Sequence, residues 1–168
     1  MRKIKSPGRL ISILYRKGQV YKNFYLKKHN ITASEQPFLN ALYHKDGVSQ
    51  DLLCKYLYMD KASTARVIQS LIKKGFVTKE KDKNDKRINR IYLTDKGKNS
   101  QSDVFEVLDA WSAILTNNMT QEEKDEILRI TEESYDKQIH SNGVRAREIN
   151  QILEKASEER RQLTQEER

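Results

Sequence analysis

Val48-Ser49-Gln50-Asp51-Leu52-Leu53-Cys54-Lys55-Tyr56-Leu57-Tyr58-Met59-Asp60, followed by Lys61-Ala62-Ser63-Thr64-Ala65-Arg66-Val67-Ile68-Gln69-Ser70-Leu71-Ile72-Lys73-Lys74-Gly75, is the stretch that decides the fold. Asp60 can cap a helix start, and Thr64, Ile68, Leu71 and Ile72 recur at helical spacing, which predicts a helix over about 61–74. Lys73, Lys74 and Gly75 suit its end, two cations for the dipole and a glycine for the left-handed position. The opposite face carries Lys61, Ala62, Ala65, Arg66 and Gln69, with Ser63 beside them. That face is small at its N-terminal end and offers a guanidinium and an amide able to make paired hydrogen bonds. A helix entering a DNA major groove needs this shape, because bulk at its tip would hold it off the base edges. An ordinary amphipathic helix could share the pattern, so the neighbouring segments carry the decision.

Upstream, Ser49 reads as the N-cap of a short helix with Asp51 in its first turn, Leu53 and Leu57 on one face, and Cys54 as a small residue at the crossing. The three-residue connection Tyr58-Met59-Asp60 makes the pair a helix-turn-helix. Ser49 and Gln50 at the helix start suit a phosphate, since free N–H groups and the dipole converge there. Downstream, Phe76 to Glu80 and Ile88 to Leu93 read as strands, with Ile91 and Leu93 on one face. The residues between, 81–87, are too polar to bury and form a basic hairpin. A basic hairpin beside a helix-turn-helix is a wing, so the expected class is mostly α with a small β-wing: a winged helix-turn-helix domain over 32–94.

Charge is segregated along the 168 residues, whose net charge is +8. Residues 1–48 hold ten Lys/Arg against two Asp/Glu, residues 49–98 hold thirteen against six, and residues 99–168 hold nine against sixteen. A basic first half followed by an acidic remainder predicts a surface for a polyanion. Two prolines and six glycines fit a mostly helical chain. No apolar run approaches membrane length, the N-terminus lacks the apolar core of a signal peptide, and one cysteine excludes a disulfide framework; a cytoplasmic setting is expected.

The flanks predict long helices. Leu10, Ile13, Leu14, Val20, Tyr21, Phe24 and Tyr25 form a stripe over about 10–28. Thr32 with Glu35 fits a capping box for a second helix bearing Phe38, Leu39 and Leu42, and Pro37 argues for moving that cap to Ser34. From Thr94 one helix is expected to run to about Thr116, with Val104, Val107, Leu108, Trp111, Ile114 and Leu115 at coiled-coil spacing. Thr120 and Glu123 box another helix with Ile127, Leu128 and Ile130. The apolar faces of residues 1–31 and 95–140 exceed what the chain can cover, which predicts a two-fold dimer held by Leu10, Ile13, Leu14, Val107, Leu108, Trp111, Ile127 and Ile130. Residues 141–168 form a charged extension with a faint stripe at Val144, Ile149, Ile152, Leu153 and Ala156, helical or frayed.

Asp82-Lys83-Asn84-Asp85-Lys86-Arg87 followed by Ile91-Tyr92-Leu93-Thr94-Asp95-Lys96-Gly97 resembles the wing signature of the MarR family of bacterial transcription regulators. Ile31-Thr32-Ala33-Ser34-Glu35, Val48-Ser49-Gln50-Asp51 and Leu71-Ile72-Lys73-Lys74-Gly75-Phe76-Val77 are similar to other parts of that family, so the resemblance spans roughly 4–135. It implies a homodimeric repressor on a palindromic double-stranded DNA operator. It further implies a small, often aromatic or anionic effector bound between the dimer helices and the winged domain. It implies that Asp85 orients Arg87 for the minor groove, with Lys83 and Lys86 beside it. Lys83 stands where the family often has proline, Ala65 where it often has Ser or Thr, and Tyr58 where many such turns have glycine.

Two other classes are weighed. A thiol switch would work through Cys54, yet that position wants a small buried residue and a free cysteine packs as one. A winged helix can also serve as a protein-interaction module without DNA, against which the charge segregation argues. His29, His44 and His140 have no metal-ligand spacing, and no nucleophile–base set or phosphate loop occurs, so neither cofactor nor catalysis is expected.

Overall fold

The computed structural model describes residues 6–140, as two compact units divided between Leu115 and Thr116. The first unit opens with α1 (Pro7–Leu26), whose proline occupies the first turn, where an N–H would have no partner anyway. A 3-10 turn, Lys27–His29, ends on Asn30 in the left-handed region and leads to α2 (Gln36–His44). Then come β1 (Val48–Ser49), α3 (Gln50–Tyr56), α4 (Lys61–Lys73), β2 (Val77–Lys81), β3 (Asn89–Leu93), α5 (Asp95–Asn99) and α6 (Gln101–Leu115). The three strands form one antiparallel sheet in the order β1-β3-β2. Val48 faces Ile91 on one side of the central strand, and Val77 to Lys81 pair with Leu93 to Asn89 on the other.

Helix α4 buries Thr64, Ile68 and Leu71 in one core with Phe38, Leu39 and Leu42 of α2, Leu53 of α3, Phe76 just before β2, and the strand residues Val77, Ile91 and Leu93. The expected inner faces are therefore the observed ones. Leu26, Val104 and Val107 close the core from α1 and α6. Val107 is only 7% exposed and belongs to this core, so its assignment to a subunit interface is corrected: one chain already covers it. Leu108 is packed partly against the same core.

The expected single helix from Thr94 to Thr116 is interrupted at Ser100. The Ser100 hydroxyl donates to the Gly97 carbonyl at 2.7 Å and meets the Tyr43 hydroxyl at 2.9 Å, while the Ser100 N–H and carbonyl keep helical bonds to Lys96 and Val104 at 3.1 Å, so the interruption is one local turn. The cap of α2 did not move to Ser34. Glu35 Oε2 accepts the Thr32 N–H at 2.8 Å and the Glu35 N–H approaches Thr32 Oγ1 at 3.3 Å, closing a separate turn; α2 then restarts with Pro37 in its own first turn.

The second unit contains α7 (Gln121–His140), started by the expected box: the Thr120 N–H donates to Glu123 at 2.9 Å. Ile127, Leu128 and Ile130 are exposed on it. The charged extension at 141–168 lies outside the described residues. Among those described, no helix is long and apolar enough to cross a membrane.

Candidate nucleic-acid interface

Both helix starts of the helix-turn-helix are built as the residues dictate. Ser49 Oγ accepts the Leu52 N–H at 3.1 Å, and Asp60 Oδ1 accepts the Ser63 N–H at 2.8 Å. The turn between them needs left-handed backbone at Tyr58, whose φ is +52°. Tyr58 thus does what glycine would do there, with its ring in solvent. The Cys54 thiol donates to the Met59 carbonyl at 2.8 Å, so the small residue of the crossing also ties down the turn.

Lys61, Ala62, Arg66 and Gln69 lie exposed on α4, with Ser63 and Ala65 half-buried among them. One Arg66 nitrogen donates to Ser63 Oγ at 2.9 Å. The start of α3 is joined to this face, since Lys61 and Asp51 approach to 3.4 Å. Lys79 on β2 donates to Gln50 at 2.9 Å. Lys79 carries no signal in the sequence, because its place on β2 opposite Ile91 depends on strand pairing that no local pattern reveals.

At the wing tip Lys83, Lys86 and Arg87 are exposed. Asp85 clasps Arg87 by both carboxylate oxygens, at 3.0 Å to Nε and 3.0 Å to a terminal nitrogen, and also accepts the Arg87 N–H at 3.0 Å. The Arg87 hydrogen bonds hold the Asp85 carboxyl below its usual range and raise the guanidinium. This clasp is the one implied by the resemblance.

The wing also contradicts an expectation, because the residues at 81–87 are not all solvated. Asp82 is 8% exposed. It pairs with Arg90 and accepts the N–H groups of Asn84 at 2.8 Å and Asp85 at 3.1 Å, while Arg90 reaches the Gly47 carbonyl at 2.9 Å. A buried carboxylate is tolerable when so fully paired. The Arg90 guanidinium, then the two N–H groups, hold the Asp82 carboxyl down to about 2, against about 3.9 for a free aspartate. A depressed carboxyl pKa contributes stability above the unfolded value, lost as pH falls through the folded one. Between about pH 4 and pH 2 the wing should therefore loosen. Asp82→Asn should flatten that part of the curve of stability against pH; an unchanged curve would place the acid sensitivity elsewhere.

The base of the wing explains the stretch Thr94-Asp95-Lys96-Gly97. Thr94 Oγ1 accepts the Gly97 N–H at 3.0 Å and donates to the Gly75 carbonyl at 2.7 Å. Lys96 donates to the Lys74 carbonyl at 2.7 Å, at the C-terminal end of α4, and stands 4.4 Å from the Phe76 ring centre. Gly97 lies so close to the Phe76 carbonyl that an added Cβ would come within 2.2 Å of its oxygen.

A second polar centre lies behind α4. Glu35, 3% exposed, takes Ser70 Oγ at 2.6 Å and Lys74 Nζ at 2.8 Å. Burial pushes its carboxyl up, but Lys74, Ser70 and Thr32 together bring it below the usual range.

The proposed dimer residues divide. Leu10 and Leu14 on α1 are exposed and Ile13 half-buried, while Trp111 packs on α1 within the chain, its ring 3.2 Å from where a Cβ on Gly18 would stand. Phe24 is 73% exposed, and Tyr15, Val20, Ile114 and Leu115 are also uncovered.

A three-stranded sheet, a capped helix-turn-helix and a clasped basic hairpin define a winged-helix transcription regulator. A family model described as "MarR family" matches residues 29–88. The structure resembles a MarR transcriptional regulator from Methanosarcina mazei Go1 with a TM-score of 0.77 and 35% identity, over 79% of this chain and 96% of that one. The chain belongs to the MarR family. It is also similar to a mutant MarR from E. coli complexed with operator DNA, with a TM-score of 0.69 and 26% identity, over 76% of this chain and 91% of that one. Among curated proteins it is 30% identical over 76 residues to the uncharacterized HTH-type transcriptional regulator YybA of Bacillus subtilis (strain 168), covering 45% of this chain. That match spans about half of the relative's length, 51%.

Proposed function

We propose that this MarR-family regulator is a homodimeric, sequence-specific DNA-binding repressor that acts in the cytoplasm. Residues 32–94 read the operator, and residues 1–31 with 95–140 hold the dimer. The observation that carries the reading is the exposed face of α4, small at its tip and bearing Arg66 and Gln69, on the same basic half as the clasped Arg87. Ser49, Gln50, Lys61, Ala62, Ser63, Ala65, Lys83, Asp85 and Lys86 complete the DNA-facing set. The operator DNA in the related E. coli complex fits this assignment. The uncovered Leu10, Leu14, Phe24, Ile127 and Ile130 support pairing of terminal helices with a second copy, because an apolar surface of that extent on a soluble monomer is uncommon.

A small aromatic or anionic effector relieves repression in this reading. A groove of about 260 Å³ between α1 and α6, lined by Leu14, Tyr15, Gly18, Lys22 and Trp111, has apolar walls that suit an aromatic molecule.

Two measurements test the proposal. Sedimentation should give a dimer at micromolar concentration, and a monomer would defeat the two-fold reading. Affinity for duplex DNA should fall steeply from low to physiological salt, with a footprint of two half-sites about 10 base pairs apart. A salt-insensitive complex, or equal footprints on isolated half-sites, would contradict it.

A further inference from the structure

We propose that Glu35 is the positioning residue of the recognition helix, through which α1 sets the direction in which α4 presents Arg66 and Gln69; this rests on the DNA-binding reading above. The carboxylate uses both oxygens. Oε1 accepts the Ser70 hydroxyl at 2.6 Å, and Oε2 accepts the Lys74 ammonium at 2.8 Å and the Thr32 N–H at 2.8 Å. Ser70 lies in the last turn of α4 and Lys74 is its C-cap four residues on, so two points at the C-terminal end of the helix are held by one side chain. One point would leave a pivot, whereas two define a direction.

The turn that carries Glu35 is itself gripped from α1. Asn23 Oδ1 accepts the Ala33 N–H at 2.8 Å, and Lys22 donates to the buried Gln36 at 3.3 Å. A continuous polar strut thus runs from α1 through residues 32–36 to α4. The apolar contacts of Ile68 and Leu71 keep α4 on the core, but apolar burial is non-directional and resists rotation weakly. A buried, fully paired carboxylate contributes little net stability against an apolar replacement, yet it admits one geometry. Base-edge hydrogen bonds demand such control, since productive contact needs placement within about 0.5 Å and 10–20°. Gln69 immediately precedes Ser70 and Arg66 lies one turn before it, so displacement of the held end carries both readers with it.

The test uses the full chain and a duplex selected by the wild-type protein from a random-sequence pool, beside a shuffled duplex of equal length. Affinities for both are measured for the wild type, Glu35→Ala, Glu35→Gln and Asn23→Ala at a temperature where circular dichroism finds each folded. Glu35→Ala should lower the ratio of selected to shuffled affinity about tenfold, while affinity for shuffled DNA, carried by charge, stays within about twofold. Glu35→Gln keeps an oxygen for Lys74 and Thr32 and lets the Ser70 hydroxyl reverse, so it should remain within about threefold of the wild type. Asn23→Ala should move the ratio in the direction of Glu35→Ala.

An unchanged ratio in folded Glu35→Ala overturns the proposal, including the case where affinity falls equally on both duplexes, which marks a general loss of DNA contact and not of sequence reading. Where Glu35→Ala does not fold, the double variant Ser70→Ala/Lys74→Met releases both fixings from the α4 side and must show the same loss of ratio. A wild-type protein that enriches no sequence would remove the DNA-binding reading and this proposal together. Wild-type preference with an insensitive Glu35→Ala removes the proposal alone.

Discussion

Gly97→Ala should destabilise the fold by about 3 kcal/mol or more, a large share of the total stability of about 5–15 kcal/mol for a domain of this kind. The added Cβ would stand 2.2 Å from the Phe76 carbonyl oxygen and 3.0 Å from a Leu93 methyl carbon. That oxygen cannot retreat without losing the Thr94 N–H at 3.0 Å and the Thr94 hydroxyl at 3.1 Å, which join the end of the wing to the strand after α4. Gly97 carries no left-handed φ, so the whole cost is one of room. Two other glycines calibrate it. Gly75→Ala, at φ +76° with nothing within 4 Å, should cost only about 1 kcal/mol of backbone strain. Gly8→Ala, on α1 with only the Ser6 hydroxyl at 3.9 Å from the added Cβ, should be neutral or slightly stabilising. Urea unfolding of the three variants checks the order, and a Gly97→Ala midpoint close to that of Gly75→Ala would show that the α5 approach yields.

Arg66→Ala and Arg87→Ala should separate two kinds of DNA contact. Among the described residues Arg66 is tethered to the Ser63 hydroxyl, and its planar guanidinium can turn to a guanine edge. Its loss should cost about 1–3 kcal/mol, roughly fivefold to more than a hundredfold in affinity, and relax preference at one base position per half-site. Arg87 is held by Asp85 at the tip of the wing and acts through phosphate and minor-groove potential. Its loss should weaken most operator variants alike and shallow the salt slope by about one unit. Each change removes one positive charge, so charge alone cannot produce both results. Both variants are measured on single-base operator variants at two salt concentrations. Uniform losses for both would leave Arg66 as a backbone contact and shift specificity to Lys61, Ser63, Gln69 or DNA shape.

Local chemistry made the helix-turn-helix and the strands of the wing legible. Asp60 and Ser49 are side-chain caps whose partners lie three residues away, and Gly75 ends a helix by its own φ. The alternation of Ile91 and Leu93 and the spacing of Thr64, Ile68 and Leu71 are periodic, so burial followed from them. What escaped depends on contacts distant in sequence. Glu35 looked like half of a capping box, and its bonds to Ser70 and Lys74 span 35 and 39 residues. Asp82 reads as one more charge in a polar run until β1 pairing brings the Gly47 carbonyl within reach of Arg90. Gly18 carried no signal, because only the Trp111 ring, folded back from α6, accounts for a residue without a side chain there. Val107 matched a coiled-coil position that an intrachain core could claim equally well.

Ser49 is the last residue of β1, paired with Arg90 of the central strand, and also the cap of α3, while Lys79 of β2 holds Gln50 one residue further on. The hairpin and α3 therefore meet at a joint with no slack. A load applied at the wing tip thus arrives at α3 without a compliant loop to absorb it.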